Sequence, residues 1–339
     1  MTEAAPFEPL RIGILGAARI GPDAIIGPAA ELGHRVVAVA ARDKTRADAY
    51  AAAHGIERVA ESYDALLADP EVEVVYNPLA NSLHGPWNRK IAAAGKALLS
   101  EKPFASNAEE AADVAAAIRA AGVGFLEGFH YCFHPGYRRV MQLLDDDRIG
   151  RVRRVEVRMS MPTPQDGDPR WDYDLAGGAM MDLGCYAVHA MRRYGIRIGA
   201  APAVVSAHCE LHAENVDASC TFDVVYPDGT TGHGHVSMEG EKFDFRLTFI
   251  GDRGRATLHD FLGPHRDNRL TVVADGAQTV ERAPSRSTYA YQLEAFARAL
   301  RTGEPTVLDL DDAVENMSMI DAVYRAAGLP VRGGKAGIP

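Results

Sequence analysis

One lysine stands where the sequence predicts the edge of a binding site. Lys102 follows the short apolar segment 97–100 and precedes a proline. The segment is typical of a buried parallel strand, and open α/β sheets place their sites at the carboxyl ends of such strands. The alternative is a structural ion pair between Lys102 and Glu101 or another acid.

A second group of polar side chains falls on one side of the helix predicted after Gly177 and Gly178. Its members are spaced by four, three and four residues, which puts them on one stripe of a helix. They are Asp182, Tyr186, His189 and Arg193. On an otherwise apolar helix this stripe predicts the wall of a cleft, and a solvated outer face is the alternative.

The first predicted strand ends in a glycine-rich turn of the kind that holds a dinucleotide. Gly16 and Gly21 occupy the first and third glycine positions of that fingerprint, and Ala18 replaces the second. Such a turn lets the backbone approach a pyrophosphate at a helix N-terminus. The residues predicted to contact the dinucleotide here are Gly16, Ala17, Ala18, Arg19 and Ile20.

The end of the second predicted strand indicates which dinucleotide binds. Ala41 stands where an acid that binds the ribose 2′-hydroxyl of NAD would be expected, and Arg42 follows it. A guanidinium can stack on adenine and pair with a 2′-phosphate, so the pattern favours NADP, with NAD as the alternative. In that alternative Arg42 is solvated and Asp43 is the ribose ligand.

The order of elements predicts an α/β protein of two domains. Strand and helix patterns alternate as far as residue 126, which indicates a Rossmann-type, doubly wound parallel sheet over residues 1–126. From 127 to 339 the pattern changes to long alternating strands with flanking helices. This part predicts an α+β substrate and oligomerisation domain with a large, mostly antiparallel, open-faced sheet.

Composition excludes several classes of protein. The 339 residues carry a net charge of −10, which argues against nucleic acid and anionic membranes as partners. The first residues do not resemble a signal peptide, and no apolar run reaches the length of a membrane span. The four cysteines are scattered, as is typical of a cytoplasmic protein.

Taken together, these motifs resemble the Gfo/Idh/MocA oxidoreductase family over nearly the whole chain. The resemblance is carried by the glycine turn and by five further segments, 77–84, 95–103, 127–135, 177–186 and 291–322. It is nearest to the branch of dihydrodiol dehydrogenases and NADP-dependent D-xylose dehydrogenases. Two departures concern the substrate: Ala80 replaces a usual proline, and His130 and Cys132 replace methionine and arginine.

The resemblance implies positions for the cofactor and the substrate. The turn Glu101-Lys102-Pro103 would lie beside the nicotinamide, with its proline often cis. The segment before the next helix would line the cofactor cleft through Pro78, Leu79, Asn81 and His84. From the residues themselves we expect the substrate to contact Lys102, His130, Tyr131, Asp182, Tyr186 and His189.

The resemblance also implies that Lys102 and Tyr186 meet at the reacting carbon. A phenol is a poor base at neutral pH, and an adjacent ammonium lowers its pKa. We therefore expect Tyr186 to be the acid/base, assisted by Lys102, while Asp182 orients Lys102 or binds a substrate hydroxyl. In the alternative, Lys102 carries the proton and Tyr186 only orients the substrate.

The expected activity is NADP-dependent hydride transfer to or from a hydroxyl or carbonyl carbon of a sugar, polyol or cyclic diol. Alternatives on the same fold are NAD-dependent glycosidase-like chemistry and a non-catalytic cofactor-binding regulator. We expect no metal, because strand histidines such as His208, His212, His233 and His235 are more often solvated than ligating. A strand with one apolar face, Phe243 to Phe249, predicts a homodimer formed through the second sheet.

Overall fold

The amino-terminal part of the chain forms a five-stranded parallel sheet. The computed structural model describes residues 8–333. The strands are β1 (Arg11–Leu15), β2 (Arg35–Ala40), β3 (Val74–Asn77), β4 (Ala97–Ser100) and β5 (Phe125–Glu127), in the order β2-β1-β3-β4-β5. Their side chains are almost all buried, as expected where helices cover both faces of a sheet. The predicted Rossmann-type sheet is confirmed.

Five helices connect these strands. They are α1 (Gly27–Leu32), which follows a π-helical turn at Pro22–Ile26, α2 (Lys44–His54), α3 (Tyr63–Ala68), α4 (Asn81–Ala93) and α5 (Ala108–Ala121). The pattern of apolar residues did not predict α3, which has only six residues and depends on its Ser62 cap. Helix α4 contains Pro86 within its second turn, at the loss of one backbone hydrogen bond.

The carboxy-terminal part contains an eight-stranded sheet. Its strands are β6 (Val152–Pro162), β7 (Ala203–Ala213), β8 (Val216–Val225), β9 (Thr231–Gly240), β10 (Asp244–Gly251), β11 (Gly254–Leu258), β12 (Arg269–Ala274) and β13 (Ala277–Arg282). They lie in the order β13-β12-β11-β10-β6-β9-β8-β7. Every neighbouring pair is antiparallel except β6 and β9. The predicted, mostly antiparallel sheet is therefore confirmed.

The two faces of this sheet differ. Along β10, Phe245, Leu247 and Phe249 are buried, whereas Arg246 lies on the opposite face. Phe243 precedes the strand and is 48% exposed, so it does not join the buried row. The sheet thus has one covered, apolar face and one open, polar face.

The carboxy-terminal part also contains helices, two of which pack on the amino-terminal part. These helices are α6 (Pro135–Asp145), α7 (Cys185–Ile198), which follows a π-helical turn at Met180–Gly184, α8 (Thr288–Thr302) and α9 (Leu310–Ala326). Helix α8 packs on α1, and α9 packs on α5, so the end of the described chain returns to the first sheet. The division after residue 126 stays a prediction. No helix within residues 8–333 has the length and apolarity to cross a lipid bilayer.

Candidate active site

The glycine turn after β1 has the features of an anion cradle. Gly16 has a φ of +86°, which L side chains rarely adopt. Among the described residues, the backbone N–H groups of residues 17–20 have no acceptor. A Cβ on Gly21 would lie 2.1 Å from the Tyr50 hydroxyl, so this position needs glycine for packing. Free N–H groups beside a helix start suit a pyrophosphate.

Two residues of α2, which the sequence did not single out, support this turn from behind. The Arg46 guanidinium donates to the carbonyl of Ala17 at 2.7 Å, and the Tyr50 hydroxyl donates to the carbonyl of Ala18 at 3.0 Å. Both carbonyls are thereby held toward α2. The arrangement ties the glycine turn to the end of β2, where the adenosine end of a dinucleotide would be selected.

The end of β2 offers cations, and the acid beside them caps a helix. Arg42 is exposed there, directly after Ala41. Asp43, the alternative ribose ligand, caps α2 and accepts the Arg46 N–H at 3.2 Å. Arg42 and Arg46 could therefore hold a 2′-phosphate, while the Asp43 carboxylate already caps the helix.

The segment before and within α4 lies against the turn that contains Lys102. His84 is buried, with Nδ1 2.6 Å from the Pro103 carbonyl and Nε2 2.8 Å from that of Leu79. Burial lowers the pKa of His84 to about 4, so a neutral ring donates to one carbonyl at a time. Asn81 donates to the Ala176 carbonyl at 3.0 Å. The contact of Pro78, Leu79, Asn81 and His84 with a cofactor stays a prediction.

The turn after β4 presents Lys102 to the π-helical turn before α7. The Lys102–Pro103 bond is cis. Lys102 Nζ donates to Asp182 Oδ1 at 2.9 Å and to the Asp182 carbonyl at 2.8 Å. Burial would lower the pKa of Lys102, but the Asp182 carboxylate raises it above its usual value. Lys102 is therefore an ammonium at neutral pH.

Asp182 bridges two cations. Its second oxygen accepts the Arg170 Nε–H at 2.7 Å. Burial would raise the pKa of Asp182, but Lys102 and Arg170 together lower it far below its usual range. Both carboxylate oxygens are engaged, so the contacts support the orienting role of Asp182.

Tyr186 lies beside Lys102 and ends a chain of buried polar groups. Lys102 Nζ is 5.2 Å from the centre of the Tyr186 ring, and the Tyr186 hydroxyl is 3.0 Å from His130 Nε2. Burial raises the pKa of Tyr186 well above its ordinary value. The expected lowering of this pKa is thus not the net result, because burial sets the direction of the shift, and the Lys102 ammonium is bound to Asp182.

Glu101 faces the other side of the same turn. Its Oε1 accepts the Tyr76 hydroxyl at 2.8 Å. Burial raises the pKa of Glu101, and the neighbouring Lys102 opposes this rise. Glu101 therefore holds the base of the turn to β3, and its predicted contact with a cofactor remains untested.

Two residues predicted to contact the substrate lie in a layer behind Tyr186. His189 Nδ1 is 2.7 Å from the Tyr131 hydroxyl, and its Nε2 is 2.9 Å from Asp312 Oδ2. The His189 ring stacks on Phe129 at 3.8 Å between centres. Tyr131 and His189 are fully buried. The rings of Phe129 and Tyr131 lie 5.3 Å and 6.3 Å from the Tyr186 ring, centre to centre, so this layer packs behind Tyr186. Substrate contact by Tyr131 or His189 stays a prediction.

A line of ion pairs connects Lys102, through Asp182, to the glycine turn. Arg170 Nη1 lies 3.3 Å from Asp168, and Asp168 accepts from Arg19 at 2.6 Å. Arg170, Asp168 and Thr288 are site residues that the sequence did not reveal. Arg170 and Asp168 lie in the segment between β6 and α7. The sequence of this segment shows neither helical nor strand periodicity, so only the charge of the two residues beside Trp171 could have indicated a role at the site.

The remaining polar predictions separate from the site. Arg193 donates to the Val307 carbonyl at 3.0 Å, away from Lys102. His233 pairs with Asp223 at 2.8 Å, and His212 stacks on Trp171 at 4.0 Å between ring centres. Within residues 8–333, no three His, Cys, Asp or Glu side chains form a group that could hold a metal ion.

Comparison with known proteins identifies relatives over most of the chain. A family model described as an oxidoreductase family with an NAD-binding Rossmann fold matches residues 10–129, and a GFO/IDH/MocA C-terminal domain model matches residues 137–257. A D-xylose 1-dehydrogenase (NADP(+)) from Haloferax volcanii is 35% identical over 94% of this chain and 97% of its own.

Two further proteins show the same relationship. A trans-1,2-dihydrobenzene-1,2-diol dehydrogenase from Mus musculus is 35% identical over 66% of this chain and 67% of its own. A 3-ketoreductase from Actinomadura kijaniata, solved with NADP and TDP-benzene, superposes with a TM-score of 0.86 at 29% identity, over 94% of this chain and 98% of its own.

Proposed function

Since the chain belongs to the Gfo/Idh/MocA family of NAD-binding oxidoreductases, we propose that it is an NADP-dependent sugar dehydrogenase or reductase. The reaction exchanges a hydride at a hydroxyl or carbonyl carbon of a sugar, with a polyol or cyclic diol as related substrates. The observation that carries the proposal is the contact of Lys102 with Asp182 beside Tyr186, at the carboxyl edge of the parallel sheet.

NADP is the preferred cofactor in this proposal. The free N–H groups of the glycine turn would hold its pyrophosphate, and Arg42 with Arg46 would hold its 2′-phosphate. When bound, the nicotinamide supplies or accepts the hydride. Support comes from the exposed Arg42, from the capping role of Asp43, and from relatives whose names include NADP.

The protein's own residues handle the substrate oxygen. Lys102, held by Asp182, would donate a hydrogen bond to that oxygen and stabilise negative charge on it. Tyr186 would exchange the proton with the same oxygen, because Lys102 remains an ammonium whose pKa is raised by Asp182. Arg170 would keep Asp182 ionised and in place. His189 and Tyr131 would position the Tyr186 ring from behind.

The direct test is a substrate panel with NADP⁺ and NADPH. Aldoses, keto-sugars and trans-diols are offered in turn, and nicotinamide absorbance is followed. We expect turnover with at least one sugar and a higher kcat/KM with NADP than with NAD. Tight NADP binding without turnover across the panel would favour a cofactor-binding regulator, and release of a free sugar from a glycoside would favour glycosidase chemistry.

The open face of the second sheet supports a homodimer. Arg154, Glu156 and Arg158 of β6 lie beside His233 and His235 of β9 and Arg246 of β10 on this face. Both signs of charge are present, so two copies related by a two-fold axis could pair them reciprocally. The four free cysteines fit our proposal that the dimer works in the cytoplasm.

A further inference from the structure

A chain of hydrogen bonds extends from Tyr186 away from Lys102. The Tyr186 hydroxyl meets His130 Nε2 at 3.0 Å, and His130 Nδ1 meets Thr288 Oγ1 at 2.7 Å. Thr288 Oγ1 in turn donates to the Leu262 carbonyl at 3.0 Å. His130 and Thr288 are each only 2% exposed, so water does not compete freely for these bonds.

The last bond of this chain sets the direction of the others. A carbonyl oxygen only accepts, so the single hydroxyl proton of Thr288 is committed to Leu262. Thr288 Oγ1 must then accept from His130 Nδ1, which places a proton on that nitrogen. Burial lowers the pKa of His130 to about 3, so the ring is neutral and carries no second proton. His130 Nε2 is therefore bare and accepts the Tyr186 hydroxyl proton.

The charged and titratable groups around His130 support the neutral ring. Lys102 after β4, Arg266 from the connection between β11 and β12, and His134 all lower the pKa of His130. The Tyr289 ring of α8 lies 4.0 Å from the His130 ring, centre to centre. None of these groups carries a negative charge that would stabilise an imidazolium.

We propose that His130 is a positioning residue that directs the hydroxyl proton of Tyr186, and that Thr288 enforces this direction by selecting the Nδ1–H tautomer. The proposal rests on the proposed function and explains how Tyr186 can act without first ionising. With its proton committed to His130, the Tyr186 oxygen offers a lone pair to a substrate hydroxyl.

The proton balance of alcohol oxidation follows from this arrangement. The substrate O–H bond breaks and its proton moves to the Tyr186 oxygen, while the phenolic proton moves to His130 Nε2. The electron pair of the C–H bond leaves with the hydride to the oxidised nicotinamide, and a carbonyl forms. After the carbonyl product leaves, the transient imidazolium returns its proton to the Tyr186 oxygen, and the proton that Tyr186 took from the substrate passes to water entering the site, so one proton is released per turnover. Reduction reverses each transfer.

The first test needs no substrate. In ligand-free protein labelled with ¹⁵N-histidine, the His130 signals are identified by their loss in His130→Gln. We expect a neutral Nδ1–H tautomer that does not change between about pH 5 and 8, because the ring is buried. An Nε2–H tautomer or an imidazolium in this range would overturn the proposal, whatever the activity of the enzyme.

The second test uses kinetics with a matched pair of variants. Thr288→Val removes the acceptor for Nδ1–H at nearly constant volume, and Thr288→Ser keeps the hydroxyl. We expect Thr288→Val to lower kcat about 10- to 100-fold, as for lost outer-shell partners of metal-bound histidines, with NADP affinity unchanged. Thr288→Ser should restore kcat.

Each outcome of the second test bears on the proposal. Equal activity of Thr288→Val and wild type, or equal losses in both variants, would overturn it. If Thr288→Val does not fold, His130→Gln and His130→Leu replace it. Gln can still accept the Tyr186 proton and should keep more activity than Leu, and the reverse order would contradict the proposal. Inactive wild-type enzyme would count against the proposed function and leave the tautomer test valid.

Discussion

The ion pair between Lys102 and Asp182 predicts a large loss of stability when one partner loses its charge. Each side chain is only 14% exposed. Removing one partner of a buried pair costs about 3–5 kcal/mol, whereas an exposed pair contributes about 0–1 kcal/mol. Asp182→Asn leaves two cations, Lys102 and Arg170, facing a neutral amide. We therefore expect the free energy of unfolding to fall by roughly 3 kcal/mol.

The assay is urea denaturation at pH 7 followed by circular dichroism, with Asp64→Asn as the matched control. Asp64 pairs with Lys90 at 3.2 Å, but the two side chains are 71% and 35% exposed, so its loss should cost less than about 1 kcal/mol. Equal destabilisation by the two variants would refute the view that the Lys102–Asp182 pair is a buried, coupled unit.

The same pair predicts a dependence on pH. Because Lys102 and Arg170 depress the pKa of Asp182, its contribution to stability is present above its ordinary pKa and is lost as the pH falls toward the depressed value. The stability difference between wild type and Asp182→Asn should therefore shrink on acidification. A difference that grows below pH 4 would contradict the sign of the shift.

Four further predictions concern the reaction, the choice of cofactor, cofactor release and assembly. Tyr186→Phe should lower kcat by about 10²–10⁴-fold, the usual contribution of an acid/base group, with little change in NADP affinity; retention of most activity with the same pH profile would assign the proton to Lys102. Arg42→Ala should weaken NADP binding much more than NAD binding in a fluorescence titration, and an unchanged affinity ratio would contradict the 2′-phosphate role. Asp168→Asn should speed NADP dissociation in stopped-flow measurements, because the hydrogen bond from Arg19 to Asp168 links the glycine turn to the segment before α7, and an unchanged rate would rule this out. Light scattering at micromolar concentration should show a dimer, and a monomer would refute the proposed role of the open sheet face.

The features that sequence could predict are those set by local patterns. Strand β2 and helix α9 follow from an apolar run and from an acidic helix start, and Asp309 caps α9 as such a start requires. Lys102 could be singled out because its position depends only on the strand before it. The spacing of Asp182 and Tyr186 likewise predicts that both face one side, and both lie beside Lys102, Asp182 from the π-helical turn and Tyr186 from the first turn of α7.

Features that depend on tertiary contacts could not be predicted in this way. The pKa of Tyr186 follows from burial, which residue spacing does not reveal. The polar residues that share one predicted helix face separate in the structure. Asp182 and Tyr186 lie beside Lys102, whereas His189 lies in the packed interior, where it contacts Asp312 of α9, 123 positions away in the sequence. Arg170 and Asp168 lie at the site because of the way the chain runs between β6 and α7, and no sequence pattern predicts that course.

Transfer of deuterium tests the central claim most directly. Aldoses deuterated at every carbon are incubated with the enzyme and NADP⁺, and the reduced cofactor is analysed by mass spectrometry. We predict that the product carries one deuterium from the sugar and that Tyr186→Phe slows its formation. Formation of no labelled NADPH from any sugar that the enzyme binds would contradict the account.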